Sequence, residues 1–142
     1  MLNFHKPSMA HILIIDDDLL ICQLLRRILE QLGHRVTDAQ DGRKGLNAFQ
    51  ADPADLVITD LIMPGMEGIE TIMEMKRRFP GTKIIAMSGG GVGSGSDYLQ
   101  MARKFGALQI ITKPFSVEML TKLVTEVLAG SPAGTAGSTS RA

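Results

Sequence analysis

Residues 55–68 read DLVITDLIMPGMEG, a short apolar run that finishes on an aspartate and turns at once through Met-Pro-Gly. A run of this length bounded by turn residues fits a strand buried on both faces of a parallel sheet. Burying an unpaired carboxylate is costly. Asp60 therefore either meets water where the strand ends or takes part in chemistry there.

Four more runs of the same kind flank it: HILII (11–15), HRVTDA (34–39), KIIAMS (83–88) and ALQIIT (107–112). Helical patterns lie between them. Ile21, Leu25, Ile28 and Leu32 recur at three- and four-residue steps and stop at Gly33. GRKGLNAFQA (42–51) is a weaker helix, because Gly45 lowers its propensity. Ile69, Ile72, Met73 and Lys76 continue helically to Phe79, where Pro80-Gly81 ends the pattern. A Gly-rich loop, GGGVGSGS (89–96), precedes a helix over about 97–105, and Val117, Leu120, Val124 and Val127 line a last helix. Strands alternating with helices in this way predict an α/β fold: a five-stranded, doubly wound parallel sheet with helices on both faces.

Composition narrows the function. At 142 residues the chain is one domain on the size prior. Fifteen basic residues balance fifteen acidic ones, so no general electrostatic case exists for nucleic acid or an anionic membrane. The single cysteine, Cys22, excludes an internal disulfide and points to a reducing compartment. The first apolar run is too short for a signal peptide, and none approaches a membrane span, so a cytoplasmic protein is expected. Residues 1–9 lack any period and read as a flexible leader, 10–130 as the folded domain, and the Gly/Ser/Pro-rich 131–142 as a disordered tail. His5, His11 and His34 have no metal-ligand spacing and read, with Cys22, as structural; Met63, Met73, Met75 and Met87 read as core filler. The loop 89–96 lacks the Gly-Lys-Ser/Thr ending of a P-loop and reads as a connector.

In open parallel sheets ligands sit outside the carboxyl ends of the strands. The residues that follow the apolar runs are Asp16, Asp17 and Asp18 after the first, Asp60 after the third, Ser88 after the fourth, and Lys113-Pro114 after the fifth. The fold would bring them to one edge. Clustered carboxylates raise one another's pKa unless a cation intervenes, and one lysine cannot balance three of them. A hard divalent cation such as Mg²⁺ can, and it suits phosphoryl transfer, which needs positioning and charge neutralisation. Asp60 would act as nucleophile, with Lys113 and the Ser88 hydroxyl holding the phosphoryl oxygens.

With ILIIDDD, LVITDLIMPGMEGIE, IIAMSG and GALQIITKPF in this order over about residues 10–130, the sequence resembles a response-regulator receiver domain of two-component signalling. The resemblance implies the flavodoxin-like strand order 2-1-3-4-5 and Asp60 as phosphoacceptor. It also implies Mg²⁺ held directly by Asp17 and Asp60, by Asp16 mainly through water, and by the Ile62 carbonyl. Ser88 and Lys113 would contact the phosphoryl group, and the Lys113–Pro114 bond would be cis. Two features depart from the family's pattern. Three positions before the lysine, where the family usually carries an aromatic ring that swings inward on phosphorylation, stands Ile110; and the loop after Ser88 is about three residues longer than usual.

The expectation is a stand-alone receiver that takes a phosphoryl group from a histidine kinase or phosphotransfer protein and signals to an unnamed downstream protein or relays the group onward. It would catalyse only its own modification, with no direct contact to nucleic acid and no insertion into a membrane. Two rivals remain: a Mg²⁺-dependent phosphohydrolase of the haloacid-dehalogenase type, with Asp16 as nucleophile and Asp18 as acid-base partner, and a pseudo-receiver that is never phosphorylated. The DLIMPG and TKPF segments favour the receiver.

Overall fold

The strands are β1 (His11–Ile15), β2 (Arg35–Ala39), β3 (Leu56–Asp60), β4 (Ile84–Gly89) and β5 (Gln109–Lys113). They alternate with α1 (Leu19–Gln31), α2 (Gly42–Ala51), α3 (Gly68–Arg78), α4 (Gly95–Phe105) and α5 (Val117–Leu128). All strand pairs are parallel, as the sequence pattern predicts, and the sheet order β2-β1-β3-β4-β5 is the one the family resemblance implies. This computed structural model describes residues 9–61, 68–89 and 95–130, with 95–99 as backbone only. Most of the 1–9 leader, His5, Ile62, Met63, residues 90–94 of the Gly-rich loop and the 131–142 tail lie outside the described residues.

The two-residue alternation of a strand explains the two cores. Ile12 and Ile14 of β1 pack with Leu25 and Leu29 of α1 and Leu120 and Val124 of α5. Leu13 and Ile15 point the other way, into a cluster with Leu46 and Phe49 of α2, Ile72 and Met75 of α3, and Ala102 of α4. The central strands are thus buried along nearly their whole length because both faces are covered.

Local chemistry sets the helix ends. The Asp18 carboxylate accepts the Leu20 N–H at 2.9 Å and starts α1, Asp41 accepts the Lys44 N–H at 2.8 Å for α2, and the Ser116 hydroxyl accepts the Met119 N–H at 3.0 Å for α5. Gly33, at φ 97°, ends α1 in a left-handed conformation that suits a residue without Cβ.

Three details differ from the sequence reading. The buried face of α3 runs through Ile69, Ile72 and Met75, which leaves Met73, about 100° further round the helix, 44% exposed rather than in the core. Val117, in the first turn of α5 beyond the strand ends, is also exposed, while Leu120, Val124 and Val127 are buried. Gly45 is more than a weak helix residue: a Cβ there would collide with the Ile15 side chain, so its absence lets α2 lie close on β1.

Candidate functional site

The parallel register brings the strand ends together. Asp60 pairs with Met87 in the ladder, Ser88 with Thr112, and Gly89 with Lys113, while the Asp16 N–H donates to the Ala39 carbonyl at 3.0 Å as the chain leaves β1. Asp16, Asp17, Asp60, Ser88 and Lys113 accordingly share the carboxyl edge, as their positions after the apolar runs predict.

Three of them form a carboxylate cluster. Oxygens of Asp16, Asp17 and Asp60 all lie within 4.8 Å of one another. Asp16 is wholly buried and Asp60 nearly so, whereas Asp17 faces solvent. Lys113 reaches into the cluster, with Nζ 2.9 Å from Asp16 Oδ2 and 3.2 Å from Asp60 Oδ1. The other Asp16 oxygen accepts the Asp18 N–H at 2.9 Å, so the buried carboxylate is engaged on both sides. Hard oxygen donors, close together and open to solvent at Asp17, match what Mg²⁺ requires of a protein.

Burial and the neighbouring Asp16 charge push Asp60 up to about 6, against the opposing pull of Lys113. Burial alone would draw Lys113 down, but its hydrogen bond to Asp16 and the Asp60 charge outweigh that, and the ammonium is held above its ordinary range. Asp60 still rises because its own burial, with the Asp16 charge added, outweighs the pull of Lys113.

Ser88 is fully buried at the end of β4, and its hydroxyl donates to the Gly89 carbonyl at 3.2 Å. It shares the edge with the acids, and among the described residues no hydrogen bond joins it to them. Asp18 spends its carboxylate on the α1 cap, accepting from the Leu20 and Ile21 N–H groups. That employment counts against the acid-base part given to it by the phosphohydrolase rival. Ile110 is half-buried against the α2–α4 core. The Lys113–Pro114 bond is cis.

One support escaped sequence reading, and a second, Cys22, was read only as structural. Gly68 opens α3, and a Cβ there would collide with the Asp60 carbonyl oxygen and with Leu61 Cα; its N–H donates to the Leu61 carbonyl at 3.0 Å. A glycine just before an apolar helical pattern was the available signal. Beneath the cluster, the buried Cys22 thiol donates to the Asp16 carbonyl at 3.4 Å, and burial, aided by Asp38 and Asp16, pushes it up to about 11. It is an inert part of the floor.

Residues 12–125 match the family model of the response regulator receiver domain. The chain belongs to that family. Over 118 residues it is 35% identical to the transcriptional regulatory protein ZraR of Klebsiella oxytoca, covering 83% of this chain and 26% of that protein, so it spans about a quarter of that relative's length. Over 117 residues it is 32% identical to the sporulation initiation phosphotransferase F of Bacillus subtilis, with 82% of this chain and 92% of that one covered. Among solved structures, the response regulator receiver domain protein of Clostridium thermocellum superposes with a TM-score of 0.79 at 31% identity, covering 86% of this chain and 96% of the other. Receiver domains are signalling proteins that are phosphorylated by histidine kinases or phosphotransfer proteins and generally bind Mg²⁺ at an acidic cluster. Among the described residues no helix is long and apolar enough to cross a membrane.

Proposed function

We propose that this receiver accepts a phosphoryl group on Asp60 from a histidine kinase or phosphotransfer protein, and signals by phosphorylation-dependent protein binding or by passing the group on. The observation that carries the reading is the placement of Asp60: a nearly buried carboxylate at a strand end, in contact with Lys113 and within 4.8 Å of two further acids. In the ionised form an Asp60 oxygen attacks phosphorus, the P–N bond to the donor imidazole breaks, and the imidazole nitrogen keeps the electron pair. Lys113 and the Ser88 hydroxyl hold the phosphoryl oxygens, Ser88 by turning from the Gly89 carbonyl.

Mg²⁺ would be held by Asp17 and Asp60 directly, by Asp16 through water, and by the Ile62 carbonyl. When bound it supplies the positive charge that lets an anionic phosphoryl group approach three carboxylates. Asp16 then serves chiefly to fix Lys113, and Asp17, exposed at the mouth, faces the incoming donor.

The test is incubation with Mg²⁺ and acetyl phosphate, followed by intact mass and peptide mapping. One phosphoryl group is expected, acid-stable and base-labile, and Asp60→Asn removes it. A wild-type level of label in the mutant, mapped to Asp16, would overturn the assignment in favour of the phosphohydrolase reading. A wild-type chain that never labels would leave the pseudo-receiver.

A further inference from the structure

Two buried histidines, His11 and His34, lie at the amino edge of the sheet, opposite the edge that carries the carboxylate cluster. Their hydrogen bonds give them different tolerances for a second proton. His11 Nδ1 lies 3.1 Å from the Pro53 carbonyl oxygen and Nε2 2.8 Å from the Thr37 hydroxyl. A carbonyl and a hydroxyl can both accept, and an Asp52 oxygen stands 3.8 Å from Nδ1, so a charged His11 ring keeps its partners. His34 has no such freedom. Its Nδ1 lies 3.2 Å from the Ala10 backbone nitrogen, and a backbone N–H can only donate. The bond therefore requires a neutral ring with its proton on Nε2.

Chain geometry explains why a side chain holds this place. The Arg35 N–H donates to the Ala10 carbonyl at 2.9 Å, so Ala10 turns its peptide groups toward β2. In a regular parallel ladder the Ala10 N–H would then meet the Gly33 carbonyl. Gly33 instead sits at φ 97° in the turn that closes α1, with its N–H on the Glu30 carbonyl at 2.9 Å. His34 Nδ1 supplies the missing rung.

Nothing around the ring offsets a positive charge. His34 is only 6% exposed. On the α1 side the Leu29 carbonyl accepts its backbone N–H at 3.1 Å, while the Glu30 carboxylate pairs with Arg26. At the β1 end, Asp55 accepts the His11 N–H at 2.8 Å, and beside His34 on β2 Arg35 pairs with Asp52. Among the described residues Nε2 has no hydrogen bond or ion pair, and residues 1–8 contain no Asp or Glu. Burial alone accordingly holds the imidazole below its ordinary value.

We propose that His34 is an acid-sensitive latch on the amino end of β1: protonation turns Nδ1 from acceptor to donor, breaks the bond to Ala10 and unfastens the start of the strand from the α1–β2 turn. Flipping the ring cannot restore the bond, because both nitrogens of an imidazolium carry hydrogen. With the folded-state value depressed by burial, the latch contributes fully above about 6.5, the value of an unperturbed histidine, and is lost as pH falls through the folded value. Asp60, raised by its surroundings, acts in the opposite sense over an overlapping range, so the latch shows when that contribution is cancelled. It is independent of the phosphoacceptor reading and leaves the carboxyl edge alone.

The experiment is a titration of isotope-labelled full-length protein in chelator, downward from about pH 7.5 until the His34 ring charges, read by imidazole nitrogen shifts and amide hydrogen exchange. At neutral pH His34 should show a protonated Nε2 and a bare Nδ1. The Ala10 amide should move in step with the ring and lose about tenfold in protection, the scale of one hydrogen bond. His34→Asn, whose amide oxygen can take the place of Nδ1 and does not titrate, should keep Ala10 protected throughout. Asp60 and His11 are common to both proteins and cancel in a comparison of urea unfolding, so wild type should lose stability relative to the variant as pH falls. The proposal is overturned by a proton on Nδ1 at neutral pH, by Ala10 protection that persists once His34 is charged, by a ring that stays neutral until the whole domain unfolds, or by parallel unfolding profiles. Should His34→Asn fail to fold, the wild-type titration alone decides, since it reads the ring and the Ala10 amide together.

Discussion

Lys113 Nζ stands between two carboxylates, 2.9 Å from Asp16 and 3.2 Å from Asp60, with the fully buried Asp16 as its nearer partner. One ammonium thus serves two acids. Burial, with the Asp16 charge added, outweighs that ammonium at Asp60, whose pKa climbs from 3.8 to about 6. The folded state then binds more protons than the unfolded chain between those values. Stability of the metal-free protein should therefore fall as pH rises from about 4 to about 6, by ~1–3 kcal/mol, and stay low above that. Asp60→Asn should remove this dependence and raise stability at neutral pH by a similar ~1–3 kcal/mol. Urea unfolding in chelator across the pH range measures both. A mutant less stable than wild type at pH 7 would mean that Lys113 compensates Asp60 fully.

Asp17 differs from its two neighbours in facing solvent, where water screens its repulsion. Asp17→Asn should leave metal-free stability within about 0.5 kcal/mol of wild type or slightly above it. Mg²⁺ affinity, by calorimetry, should drop by about tenfold or more, because a ligand oxygen is lost. A large loss of stability without metal would assign Asp17 a structural partner instead.

Gly68 sets how closely α3 approaches the phosphoacceptor. Any Cβ would meet the backbone of Asp60 and Leu61, which cannot step aside as a flexible side chain would. Gly68→Ala should cost ~2–4 kcal/mol in urea unfolding and slow labelling by acetyl phosphate. The same change at Gly81, which has open space around it, is the control and should be nearly neutral.

These glycines show where the sequence stops being readable. Continuous β-branched runs reveal strands covered on both faces, and the residue after each run reveals the functional edge, because parallel topology puts all strand ends together. Asp16, Asp17, Asp60, Ser88 and Lys113 reach one edge for that reason alone. Periodicity gives a helix but only loosely the phase of its buried face, so Met73 and Val117 looked internal and are exposed. A missing side chain leaves little mark in a pattern of side chains, so the tight approach at Gly45 was invisible and that at Gly68 was signalled only by a glycine just before a helical pattern. Nor does spacing say which acid Lys113 prefers, since the partners are 97 residues apart.

An apolar rim borders the acid site. Leu19 and Leu20 are 58% and 74% exposed at the start of α1, and Phe115 is half-buried just after Lys113-Pro114. Such a rim suits a helix of a phosphodonor protein laid across the cluster. Leu20→Ala should reduce transfer from a protein donor by about tenfold, the scale of a well-buried interface side chain, yet leave acetyl phosphate labelling unchanged. Phe115→Ala should behave alike, with some loss of stability from its contact with the α1–α5 core. Equal losses with both donors would point to damage at the site itself.

Ile110 bears on how the signal leaves the domain. It is β-branched, half-buried beside its ladder partner Ala86, and has neither hydroxyl nor ring to swing between solvent and the interior. What remains is Ser88 itself, whose hydroxyl must leave the Gly89 carbonyl to meet a phosphoryl oxygen. That movement frees the carbonyl of Gly89, the last residue of β4. Phosphorylation should therefore shift amide resonances most from Ser88 to Tyr98 and little at Ile110. Ile110→Tyr should label at close to the wild-type rate and alter partner binding, because it places a ring at a half-buried position on β5. Large side-chain rearrangement at Ile110, with quiet resonances after Ser88, would overturn this route.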